Sequence, residues 1–132
     1  MKRIIIIVAI IAVLGGGSFY FFVIRDTSDK PEPRIEYTPS GDYFTTNVVG
    51  GRRLLKTSLI LVVNEKGLEE FLESENGRIR DTIIFILRDL TEEQILEPGT
   101  QDILRDRILT ELNERLGIDN FVEVLFNDFV MQ

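Results

Sequence analysis

The sequence predicts an α+β domain over residues 43–132, in the order β-β-α-α-α-β, carried behind a single N-terminal transmembrane helix. Three observations lead there. Residues 4–24 hold no charge over 21 consecutive positions. Two runs rich in β-branched and aromatic residues flank Gly50-Gly51. Apolar residues then recur at helical spacing as far as Leu116, before a closing run of alternating apolar residues.

At about 1.5 Å per residue the uncharged stretch spans about 31 Å as a helix, against a hydrocarbon core of about 30 Å. Lys2 and Arg3 precede it, whereas Arg25 is followed by Asp26 and Asp29. The basic excess keeps residues 1–3 in the cytoplasm and sends the remainder to the far side. Phe19, Tyr20, Phe21 and Phe22 gather near the outer end, where aromatic rings favour the membrane interface. A cleaved signal peptide is the competing reading, with Ile4 to Leu14 as its apolar part and Gly15-Gly16-Gly17 as its small-residue site. Cleavage would expose Ser18-Phe19-Tyr20-Phe21-Phe22, a run that belongs in lipid, so an anchor is preferred. Ala12 and Gly16 have the small-xxx-small spacing that lets transmembrane helices approach closely, and Gly15 and Gly17 widen that strip. The same glycines also fit an anchor that is simply loosened there.

Residues 25–42 read as a linker, because they hold Pro31, Pro33 and Pro39, three of the four prolines. Ile35 and Tyr37 alternate there in a way that also suits a short edge strand or a docking segment; the prolines favour the linker. Residues 26–132 carry 12 Lys/Arg against 22 Asp/Glu, a net charge of −10. Such a surface repels phosphate backbones and offers anionic headgroups no attraction, which argues against nucleic-acid partners and leaves the anchor as the contact with lipid. The chain has no cysteine, so packing rather than disulfides must hold the domain.

Tyr43 to Val49 reads as a strand, Gly50-Gly51 as a hairpin turn, and Leu54 to Val63 as a second strand whose Leu55, Thr57, Leu59, Leu61 and Val63 share one face. A helix begins near Lys66, with Leu68, Phe71 and Leu72 along one side. Ile79 to Leu90 places Ile79, Ile83, Ile86 and Leu90 at helical spacing, although Asp81 to Leu87 also reads as a buried strand. Phe85 falls opposite that apolar stripe, among Arg78, Asp81, Arg88 and Asp89. An aromatic on a charged face is either a subunit contact or a residue packed under a loop of its own subunit. Thr91-Glu92-Glu93-Gln94 is a capping box, and Pro98-Gly99 ends the short helix it starts. Thr100 to Leu116 puts Leu104, Ile108, Leu109, Leu112 and Leu116 on one stripe, with Gly117 as a left-handed cap. Phe121 to Met131 closes the chain as a strand, with Val122, Val124, Phe126 and Val130 expected on one face.

The sequence lacks histidine and cysteine, and with them imidazole bases, thiol nucleophiles and the usual zinc ligands. Glu69-Glu70, Glu92-Glu93 and Asp102 with Asp106 lie on helix starts or faces, where carboxylates serve solvation and the helix dipole. Asn64-Glu65-Lys66-Gly67 lacks the ligand spacing of a calcium loop, and no glycine-rich phosphate loop occurs. No catalytic residue, metal, cofactor or small-molecule substrate is therefore expected.

Asn47-Val48, Arg53-Leu54-Leu55-Lys56 with the strand that follows, Ile79-Arg80-Asp81 leading into Ile83-Ile84, the helix from Leu104 to Asn113, and the closing Val124-Leu125-Phe126-Asn127-Asp128-Phe129-Val130-Met131-Gln132 resemble the flagellar basal body-associated protein FliL family. The positions carrying the likeness are Asn47, Arg53, Arg80, Asp81, Asn113, Phe126, Phe129 and Gln132, while Met131 stands where the family often has Val. The resemblance implies an extracytoplasmic domain similar to the stomatin/prohibitin (SPFH) fold, a homo-oligomeric ring, and association with the stator proteins that drive flagellar rotation. It further implies a single-pass protein of the bacterial inner membrane, with the domain periplasmic. Two readings follow: a non-enzymatic ring component that supports the stator in motility, and a membrane-anchored SPFH-like scaffold unrelated to motility.

Overall fold

In the computed structural model, which describes residues 30–132, the chain runs β1 (Ile35–Tyr37), β2 (Phe44–Asn47), β3 (Leu54–Val63), α1 (Glu69–Ser74), α2 (Asn76–Arg88), α3 (Glu92–Leu96), α4 (Thr100–Leu116) and β4 (Phe121–Met131). The expected membrane helix, with Ala12, Gly15 to Gly17 and the aromatic group Phe19 to Phe22, lies outside the described residues. Among those described, no helix is long and apolar enough to cross a membrane.

Strand β3 is the spine of an antiparallel sheet. Its Leu55, Thr57, Leu59, Leu61 and Val63 are all buried on one face, as the alternation predicts. β4 pairs along its length, from Leu55 opposite Met131 to Val63 opposite Phe121, and so occupies one edge. β1 and β2 must share the other edge, β1 against Leu61 to Val63 and β2 against Leu54 to Thr57. They are two halves of one edge strand, interrupted by residues 38–43. Helices cover one face of the sheet: Ile79, Ile83 and Ile86 of α2 and Leu104, Ile108 and Leu112 of α4 are all buried in the core beneath them. On the opposite face Val62 is still only 1% exposed. Its cross-strand neighbours are Glu36 and Glu123, and Arg34 pairs with Glu123.

The fold is α+β as expected, with three differences. Residues 35–37 are not linker but strand β1, since Ile35 and Tyr37 pack on the core face and outweigh the nearby prolines. With this strand, and with four helices where three were expected, the order becomes β-β-β-α-α-α-α-β, and the compact unit begins at Pro33. The second helix starts at Asn76 rather than Ile79 and ends at Arg88, which removes the reading of Asp81 to Leu87 as a strand. In β4 the expected face is broken. The register slips at Val122 and at Asn127, and each extra residue inverts the alternation. Phe121, Val124, Phe126, Phe129 and Met131 therefore face the core, whereas Val122 and Val130 are 40% and 52% exposed.

The capping box forms as read: Thr91 Oγ1 accepts from the Gln94 amide at 3.2 Å, and Gln94 Oε1 accepts from the Thr91 amide at 2.9 Å. Thr91→Ala is expected to cost about 1 kcal/mol, and to lower the thermal midpoint by about 4–8 °C. Thr91→Ser should retain the midpoint. Equal midpoints for the two variants would show that the cap contributes nothing.

Candidate functional site

The residues that carry the family likeness join elements and do not converge on one another. Arg80, on α2, reaches the loop that interrupts the edge strand. Its Nη1 donates to the Ser40 carbonyl at 2.8 Å, its Nη2 to the Tyr43 carbonyl at 3.2 Å, and its guanidinium lies 4.3 Å from the Phe44 ring centre. Asn76, one turn earlier, accepts from the Ser40 amide at 3.0 Å and from the Tyr37 hydroxyl at 3.1 Å. That hydroxyl also points at the Leu72 carbonyl, 3.2 Å away. Burial, reinforced by the charge of Glu73, raises the Tyr37 phenol above its ordinary 10.0, so it stays protonated and remains a donor. Gly41 completes the clamp: its φ of +100° suits glycine, and a Cβ there would stand 2.9 Å from Arg80 Nη1.

Arg80→Lys keeps the charge but not the planar fork that serves two carbonyls at once. It is expected to cost about 1–3 kcal/mol, and to speed proteolysis within residues 38–43. Unchanged cleavage would mean that the loop holds itself.

The remaining motif residues act in the same way. Arg53 pairs with Glu92 at 3.3 Å, tying the start of β3 to α3. Asn113 donates to the Phe121 carbonyl at 3.0 Å and accepts from its amide at 3.1 Å, so one side chain substitutes for a strand partner where β4 begins. Phe126 and Phe129 meet edge-on at 5.5 Å. Gln132 and Leu54 exchange two backbone bonds of 2.9 and 2.7 Å, beside Asn47, whose β2 position is opposite Leu54.

Asp81 belongs to a different feature. Ion pairs of 3.3 Å join Asp81 to Arg115 and Asp89 to Arg107, which also bonds Glu111 at 3.0 Å. These links run between α2 and α4 in antiparallel order. Phe85 lies one turn from both Asp81 and Asp89, and its side chain is 54% exposed within that charged frame. Glu111 chiefly, and Asp89 with it, hold the Arg107 guanidinium above its ordinary range, so this side of the frame keeps its charge. Leu96 and Ile103, near the start of α4, are 68% and 70% exposed.

Among the described residues no group of three or more acidic side chains is placed to hold a metal ion. An open depression of about 570 Å³ beside residues 38–43 includes Asp42, Ser58 and Asp128, and the Ser58 hydroxyl donates to Asp128 at 3.1 Å.

The described residues thus form a small α+β domain held together by side-chain clamps, with exposed apolar residues on its helical layer. The chain belongs to the FliL family: residues 37–132 match the flagellar basal body-associated protein FliL. It is accordingly a flagellar basal body-associated protein. A comparison with curated proteins gave no match.

Proposed function

We propose that this protein is a non-enzymatic scaffold of the flagellar basal body. It is held in the bacterial inner membrane by residues 4–24, forms a homo-oligomeric ring outside the cytoplasm, and supports the torque-generating stator units. The family match over residues 37–132 carries this reading. The uncharged stretch before it supports anchoring, and the basic residues Lys2 and Arg3 support an inside N-terminus. The absence of histidine and cysteine from the sequence favours a scaffold over an enzyme.

The test is recovery of the full-length protein from membranes in mild detergent, with its companions identified by mass spectrometry and particles imaged. Rings that co-purify with stator proteins are expected. Rings without stator proteins, together with normal motility in a deletion strain, would instead favour the scaffold unrelated to motility.

The anchor adds a second expectation. Ala12→Leu combined with Gly16→Leu should leave the protein in the membrane fraction but reduce stator recovery, because bulky side chains hold transmembrane helices apart. Undiminished recovery would show that the small residues are no docking strip.

A further inference from the structure

The helical layer carries a cleft of about 140 Å³ between α3 and α4, bordered by Leu90, Leu104, Ile103, Glu97 and Arg107. Leu90 and Leu104 are buried there, whereas Ile103 stands exposed. An apolar cavity of about 150 Å³ holds benzene, so the cleft has room for one large apolar side chain. The surrounding charge selects what carries that side chain. Residues 89–106 hold six Asp/Glu against one Arg. Arg107, the cation at the rim, already pairs with Asp89 and Glu111. Glu93 on α3, Glu97 just after it and Asp106 on α4, three residues beyond Ile103, are exposed and have no ion pair among the described residues.

We propose that the α3–α4 cleft takes a basic segment of another protein, which seats one large apolar side chain in the cleft and sets Lys or Arg against Glu93, Glu97 and Asp106. This goes beyond the scaffold reading and needs neither the ring nor the stator. An apolar anchor inside a charged rim is the arrangement of an interface hot spot, and the rim's single sign of free charge decides the partner. Free carboxylates repel the phosphates of lipid headgroups and nucleic acids. They do not suit a second copy of this chain either. The densest basic stretch of the described residues, Arg52 to Lys56, is engaged within its own copy: Arg53 pairs with Glu92 at 3.3 Å, Leu55 is buried, and Lys56 Nζ lies 3.9 Å from the Tyr43 ring centre.

The experiment places p-benzoylphenylalanine at the exposed position 103 of the full-length protein, irradiates it in its native membrane and maps the adducts by mass spectrometry. Adducts on a large apolar residue of another protein, flanked by Lys or Arg, are expected. Adding Glu93→Lys with Glu97→Lys, both at exposed positions, should reduce them at least about tenfold while circular dichroism of the purified protein stays unchanged. Glu69→Lys with Glu70→Lys, on α1, shifts the net charge equally and should leave the yield as it was. Equal losses from the two pairs would reduce the effect to overall charge and overturn the site. Adducts confined to lipid or to copies of this chain, adducts on a segment without Lys or Arg, or no adduct at all would overturn it as well, as would adducts that persist in Glu93→Lys with Glu97→Lys.

Discussion

Ile83→Ala should lower the unfolding free energy of the domain by about 3–4 kcal/mol, whereas Phe85→Ala, two residues on, should change it by less than about 0.5 kcal/mol. Both residues are large and apolar, and both sit in the middle of α2. The difference lies in what surrounds them. Ile83 is 0% exposed and belongs to the core cluster shared with Leu59, Leu61 and Ile108. Truncating it removes buried carbon and leaves a cavity that neither the sheet nor α4 can close without losing its own contacts. Phe85 is 54% exposed, so most of its surface is already in water, and alanine is the better helix former at an exposed site. A small domain has only about 5–15 kcal/mol in total, so the first change consumes a large share of it. Urea unfolding of residues 33–132 measures both, through midpoints at constant slope. Equal shifts would mean that α2 presents a different face to the sheet.

That contrast was legible in the sequence because helical periodicity is local: Ile79, Ile83 and Ile86 repeat at 3.6-residue spacing, and Phe85 falls off their stripe. Strand β3 and the Thr91 capping box were legible for the same reason, each being decided within a dozen residues. Strand β1 was not. It is three residues long, lies among prolines, and acquires its meaning only from pairing with Leu61 to Val63. The inverted faces of β4 were hidden as well, because Val122 and Asn127 become bulges only relative to the register of β3. The candidate surface divides along the same line. Phe85 stood out as an aromatic among charges, but its frame needs Asp81 beside Arg115, a pairing made only when α2 and α4 pack together. The motif residues could be recognised by resemblance, yet the clamp made by Arg80 and Asn76 on residues 38–43 carries no sequence signal of its own.

The largest functional effect should follow from cutting the tether. Residues 26–132, exported without the preceding segment, should fold but fail to restore motility in viscous medium when the full-length gene is absent. The reason lies in β1. Because the compact unit begins at Pro33, only residues 25–32 separate it from the end of the uncharged stretch. Eight residues reach about 28 Å at full extension. Under the proposed anchoring, a domain leashed that closely would stay at an effective concentration in the millimolar range beside membrane partners, and the proposed ring would multiply the effect. Freed into the extracytoplasmic space, it is diluted far below what weak contacts require. Inserting about 20 Gly/Ser residues at positions 25–32 should therefore give an intermediate loss, since effective concentration falls roughly as the −3/2 power of linker length. A diffusible factor or an enzyme makes the opposite forecast: the exported domain rescues fully, and linker length is irrelevant. Full rescue at native expression would sink the scaffold mechanism, whereas a graded loss from native tether to long tether to free domain is the signature that only tethered contact produces.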